Sequence, residues 1–176
     1  MALIKTFDKD NATGRVAEIY DLMQNAMGFI PNAFKVYSSS EHVLEAAFNN
    51  LGYFMRHKTL SGKLLAFIRL LVSEKESCAY CVGVNTGILF QYGVLPEAIE
   101  EIKKDVTKAP LEPKELALLQ FVLKVVSDSD NVNSDDMSRL RELGWDDRDI
   151  LEASFHGTSQ IGSDKIFNAF KIESDF

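Results

Sequence analysis

Cysteine is scarce: the chain of 176 residues holds two, too few for a disulfide framework of the kind that staples small secreted domains. Basic residues are in deficit, 19 Lys and Arg against 26 Asp and Glu, for a formal charge of −7. Nucleic acid and anionic membranes both require clustered positive charge, so neither is an expected partner. Long apolar runs are missing as well. "LLAFIRLLV" is interrupted by Arg69, whereas a membrane-spanning helix needs about 20 apolar residues. The opening "MALIKTFDKDN" has no apolar signal core and no small-residue cleavage site, which predicts a cytoplasmic protein. No segment alternates apolar and polar residues convincingly, so almost no sheet is expected. There is no fixed-period repeat and no low-complexity linker, and the length suits a single domain spanning 1–176.

What the chain does contain is helical periodicity with clear punctuation. Val16, Ile19, Tyr20, Met23 and Met27 recur at helical spacing from a start near Asn11 or Thr13, and Gly28 stops them. Pro31, Pro96 and Pro113 stand where a first helical turn tolerates proline. Ser40 and Ser61 are candidate caps, the first opening a stripe of Val43, Leu44, Ala47, Leu51 and Phe54. A helix from about Ser77 to Tyr92 ends at Gly93. The acidic "DSDNVNSDD" reads as a solvated loop before "MSRLRELG", and Asp146 or Asp147 caps a last long helix to about Phe170.

Both cysteines lie in "SEKESCAYCVGVNTG", and helical geometry puts Cys78, Cys81 and Asn85 on one face. Two sulfurs so spaced can join without large backbone movement. The free N–H groups of a first helical turn favour a thiolate, and thiol pKa values in such motifs fall from about 8.5 to between ~3.5 and ~7.5. The thiolate attacks a peroxide oxygen or a disulfide sulfur, and its partner resolves the product. The plainer readings are two small buried hydrophobes or half of a zinc site. Zinc asks for about four ligands. The other soft candidates are His42, His57 and His156, none near the pair in sequence, so no metal is expected.

"CAYC" preceded by "LSGKLLAFIRLLVSEKES" resembles the alkyl hydroperoxidase D / carboxymuconolactone decarboxylase family. "VAEIYDLMQNAMGFIPNAFKVY" and "LGWDDRDILEASF" with "IFNAFKI" resemble its peroxidase-related branch. The resemblance covers most of the chain, with a CxxC core at about 40–125. It implies an all-α, AhpD-like helical bundle that is oligomeric, a homotrimer or homohexamer. It also implies thiol chemistry on a peroxide or small disulfide, without a cofactor and with a thiol reductant protein as a possible partner. In active relatives a Glu about a dozen residues before the first cysteine and a His four after the second relay a proton. Cys78 and Cys81 match the motif, and Tyr80 matches the aromatic of "CxYC". Ala66 stands at the Glu position and Asn85 at the His position, so both relay roles are vacant.

Several points stay open at this level. Asn85 either orients a thiol or bonds a neighbouring backbone group. Glu74 and Glu76 lie close in sequence but would raise a thiol pKa. His57 is either a base entering from another helix or an exposed histidine at a helix end. Gly83 and Gly87 mark either a close helix approach or room for a substrate. The family pattern favours Cys81 as attacking sulfur, and helix geometry favours Cys78. The leading expectation is a thiol oxidoreductase with weakened peroxidase activity. Its rival is a non-catalytic oligomeric scaffold or redox sensor of the same fold. Lactone decarboxylation is disfavoured, because that branch does not depend on a cysteine pair.

Overall fold

Helices account for the regular structure throughout residues 2–175, the part described by the computed structural model, and no strand occurs among these residues. Among the described residues nine α-helices follow in order. They are α1 Gly14–Met27, α2 Asn32–Tyr37, α3 Glu41–Met55, α4 Gly62–Lys75, α5 Ala79–Gln91, α6 Pro96–Ile102, α7 Pro113–Ser127, α8 Ser134–Glu142 and α9 Asp147–Ala169. Among the described residues no helix is long and apolar enough to cross a membrane.

The caps explain most boundaries. Ser40 and Ser61 accept hydrogen bonds from the backbone N–H groups of Val43 and Leu64, as N-cap residues do. Gly28, Gly93 and Gly144 take positive φ where α1, α5 and α8 end. Two boundaries differ from the sequence reading. The acidic segment is partly helical, because Asn133 and Asp136 form a reciprocal capping box that starts α8 at Ser134. Pro31 is the N-cap of α2 rather than its first helical residue. Val43, assigned to the buried stripe of α3, is 42% exposed. Phe48 packs on the core in its stead.

The contacts divide the chain into two compact units. The first comprises residues 1–57 and 166–176. Its core is Val16, Ile19, Tyr20, Met23, Ile30 and Leu44, with Phe7, Phe34 and Tyr37 packed against it. Tyr20 is fully buried, and its hydroxyl donates to the Phe7 carbonyl over 2.9 Å, which satisfies the one polar atom it carries inward. The tail is tied in by Asp175, whose carboxylate accepts from the Asn32 backbone N–H at 2.7 Å.

The second unit, residues 58–165, is organised around α4. Leu64 to Ile68, Leu70 to Val72 and Ser73 are all buried, so α4 is enclosed on nearly every side. It packs against α5 and α7. α9 reaches the same core at Gly157. A Cβ there would lie 2.5 Å from Cγ1 of Val122 and 3.3 Å from Cγ2 of Ile68, so only glycine admits this approach.

Candidate functional site: a thiol pair at a helix entrance

The link from α4 to α5 sets the site. Ser77 donates its N–H to the Glu74 carbonyl at 3.2 Å, and Cys78 donates to the Ser73 carbonyl at 3.0 Å. This is the paired pattern that closes a helix through a left-handed residue. That residue is Ser77, at φ 54, where glycine is the usual occupant. The chain therefore leaves α4 and enters α5 almost at once, with Cys78 as the N-cap of α5.

Cys78 is fully buried and Cys81 is 4% exposed; neither forms a disulfide. The Cys81 backbone N–H donates to Cys78 Sγ at 3.4 Å. The Cys78 pKa is lowered, first by the Cys81 thiol and then, against the cost of burial, by that N–H. Cys81 is pushed the other way, first because its S–H is held by the Cys78 sulfur, then by burial, by its hydrogen bond with Asp164 and by that carboxylate's charge. The two thiols are thus polarised into one acidic and one reluctant member.

Sequence reasoning missed the third member of the site. Asp164, on α9, is fully buried, and one of its carboxylate oxygens lies within 4.8 Å of both sulfurs. Its Oδ1 accepts from the Ser73 hydroxyl at 2.9 Å and from Gln160 Nε2 at 2.8 Å. Its Oδ2 is buried and takes no hydrogen bond of ordinary geometry, and the two thiols act on the carboxylate as weak donors. Burial raises the Asp164 pKa, against the hydrogen bonds that favour its charged form. No acid occurs from Leu60 to Ser73, the stretch before the pair where the family motif places one. The carboxylate comes instead from the far end of the chain. The signal that could have found it is an acidic residue within the apolar-spaced part of a long helix, where burial demands a partner.

The remaining candidates fall as follows. Ala66 is fully buried and offers no proton-bearing group. Asn85 is buried on the cysteine face of α5, and its amide bonds no sulfur. Its Nδ2 donates to the Cys81 carbonyl at 2.8 Å, and its Oδ1 accepts from Arg69 Nε at 2.7 Å. Arg69 NH1 continues to His156 Nε2 at 2.9 Å. Burial and the adjacent Arg69 push the His156 pKa down to about 3, so the imidazole is neutral and accepts that bond. Tyr80 is buried on α5. Glu74 pairs with Lys103 and Glu76 with Lys165. His57 stacks on Phe54 at a centroid distance of 6.2 Å at the end of α3. Gly83 and Gly87 are exposed, and a Cβ on either would meet nothing within 4 Å, so no helix of this chain approaches them. They also sit about 200° around the helix from Cys81 and Asn85, away from the sulfurs.

No family model and no curated protein matches the sequence. Solved structures do match in fold. An uncharacterized peroxidase-related protein from Silicibacter sp. TM1040 superposes with a TM-score of 0.84 at 21% identity, covering 98% of this chain and 91% of that one. A protein from Ralstonia eutropha JMP134, described as an alkylhydroperoxidase AhpD core and an uncharacterized peroxidase-related protein, gives 0.84 at 24% identity, with coverage of 99% and 92%. The debrominase Bmp8 gives 0.76 at 15% identity, with coverage of 98% and 92%. A variant of it with a cysteine replaced by alanine is known in complex with 2,3,4-tribromopyrrole. The AhpD-like fold expected from the motifs is therefore the fold of this chain.

Proposed function

We propose that the protein is a thiol-dependent oxidoreductase in which Cys78 attacks a small peroxide or small disulfide, Cys81 resolves the product, and Asp164 accepts the Cys81 proton. The observation that carries this reading is the convergence of two reduced sulfurs and one buried carboxylate within 4.8 Å of each other at the start of α5. The helix entrance favours the Cys78 thiolate, and the direction of its pKa agrees with helix geometry in making it the more acidic thiol.

A hydroperoxide is reduced in two stages. Cys78 thiolate attacks one peroxide oxygen and the O–O bond breaks. The alkoxide leaves and takes up a proton, and Cys78 becomes a sulfenic acid. Cys81 gives its proton to Asp164 and attacks the Cys78 sulfur. The S–O bond breaks, water leaves with the returned proton, and a Cys78–Cys81 disulfide remains. An external dithiol, oxidised in turn, restores the pair. A small disulfide follows the same course through a mixed disulfide. Asp164 thus occupies the chemical role left vacant by Ala66 and Asn85. The burial of both sulfurs favours small reagents over protein disulfides.

The fold shared with peroxidase-related proteins supports the reading. Because the debrominase shares it too, 2,3,4-tribromopyrrole belongs among the substrates to be tried. A cytoplasmic location and a homotrimer or homohexamer are part of the proposal. The exposed α5 face of Gly83, Gly87 and Phe90, with its apolar ring in solvent, is where a second copy would pack.

The deciding experiment is anaerobic mixing of the reduced protein with hydrogen peroxide, an alkyl hydroperoxide or a small disulfide, followed by thiol counting. Two thiols per chain should be lost together. Cys78→Ser should lose the reaction, and Cys81→Ser should stop at the sulfenic acid or mixed disulfide. The complete burial of Cys78 favours a second reading, a redox sensor that oxidises once without turning over. Disulfide formation without turnover in the presence of dithiol would select it.

A further inference from the structure

The same cluster has a second chemical capacity that does not depend on any oxidant. Two sulfurs and a carboxylate oxygen are gathered within 4.8 Å of one another, all on buried residues. Two sulfurs sharing one tetrahedral zinc ion at about 2.3 Å each stand about 3.8 Å apart, a separation the cluster can meet. The carboxylate is prepared as a ligand. Ser73 and Gln160 hold Oδ1, while Oδ2 is buried with no donor of ordinary hydrogen-bond geometry, and the Cys78 and Cys81 thiols are the other groups that act on the carboxylate. Thiols are weak donors, so a buried carboxylate oxygen left to them gains from a cation placed between it and the sulfurs. Hydrogen bonds to the other oxygen fix the orientation of a carboxylate ligand, as outer partners do in metal sites. Cysteine and histidine alone supply no third donor here, which is why the sequence gives no sign of a metal.

We propose that Cys78, Cys81 and Asp164 form a binding site for one soft divalent cation of the zinc class, with water or a small ligand in the fourth position. Thiolate donors select zinc-like ions over magnesium or calcium, which prefer all-oxygen shells. Three protein ligands with a fourth position left over is the arrangement of an open zinc site rather than a closed structural one. Metal binding releases the thiol protons and ties up both sulfurs, so the ion protects the reduced pair and competes with its oxidation. A pair already joined as a disulfide offers no thiolate and cannot bind.

The test uses the reduced full-length protein and Co²⁺ as the probe, titrated without oxygen. One Co²⁺ per chain should bind, with a thiolate-to-cobalt charge-transfer band and the strong visible bands of tetrahedral cobalt, and one equivalent of Zn²⁺ should displace it. Asp164→Asn should weaken Co²⁺ binding at least tenfold while circular dichroism stays helical, and Cys78→Ser should abolish the charge-transfer band. Wild-type protein oxidised to the disulfide should take up no cobalt. X-ray absorption at the zinc edge of the wild type should give two sulfur neighbours and oxygen, a result that needs no variant to fold. Absence of the charge-transfer band, a four-sulfur shell, or equal affinity in a folded Asp164→Asn would overturn the site. Thiol loss to peroxide in metal-free protein is read separately, so failure of the metal site leaves the oxidoreductase reading standing, and the reverse holds too.

Discussion

The Ser73 hydroxyl donates to Asp164 Oδ1 over 2.9 Å, joining residues 91 positions apart in the interior of the second unit. Ser73 also accepts the Cys78 backbone N–H through its carbonyl at 3.0 Å. One residue at the end of α4 therefore holds both the carboxylate and the first cysteine. In the proposed reaction that coupling sets where a proton goes.

Asp164→Asn should separate activity from stability. The asparagine keeps an oxygen for Ser73 and Gln160 but cannot take a proton. Turnover should fall by about 10²- to 10⁴-fold, the usual worth of a general base. The acid limb of the wild-type pH–rate profile, set by a carboxyl above its ordinary range, should vanish. Stability should move the other way. A raised carboxyl pKa means the folded state binds more protons than the unfolded one, so its stabilising effect is lost as pH rises. The variant should therefore resist urea better than wild type at pH 7. An unchanged rate profile would remove Asp164 from proton transfer.

Ser77→Gly tests the turn. Ser77 occupies a left-handed conformation that costs an L-residue about 1–2 kcal/mol and glycine far less. The greater freedom of glycine in the unfolded chain offsets part of the gain. A net stabilisation of about 0.5–1 kcal/mol is expected in chemical denaturation, with the thiol reaction retained. A loss of stability would mean that the serine side chain contributes more than its backbone strain removes.

Acid sensitivity should trace to His156. Its folded pKa of about 3 lies well below the ordinary 6.5, so the unfolded chain binds a proton that the folded chain refuses. The associated stability is complete above about 6.5 and is lost as pH falls toward 3. Each tenfold difference in proton affinity between the folded and unfolded chain is worth about 1.4 kcal/mol. His156→Gln keeps an acceptor for Arg69 without the titration. Its denaturation midpoint should depend less on pH between 6.5 and 3 than that of wild type.

Gly157→Ala should damage the second unit directly. The new methyl would overlap Val122 and press on Ile68. Overpacking of this kind costs about 1–3 kcal/mol. Calorimetry should show the loss. An unaffected melting temperature would mean that α9 does not approach α4 and α7 this closely.

The cysteines announced themselves because their spacing is local. A helical repeat of about 3.6 residues makes Cys78 and Cys81 neighbours whatever the rest of the chain does. The same locality made caps legible at Ser40 and Ser61, stops at Gly28 and Gly93, and the scarcity of strands. It failed at Asn133, where a capping box turned an acidic segment into the start of α8. It failed at Val43 too, because periodicity gives a stripe its width but not which edge meets a neighbour. The glycines of α5 were compatible with a crossing helix or with room for a substrate, yet they are exposed on the face away from the sulfurs, and a Cβ on either would meet nothing within 4 Å.

By itself the amino-acid order determined an all-helical chain with a thiol pair at the mouth of one helix, since hydrogen bonds and capping act over a few residues. Tertiary packing decided which group stands beside those sulfurs. Asp164 is one acidic side chain among 26 Asp and Glu residues, marked only by its helical spacing with the buried Ala153 and Phe167. Its place beside the thiols exists only because close packing at Gly157 draws α9 against the core, where Ser73 and Gln160 hold the buried carboxylate.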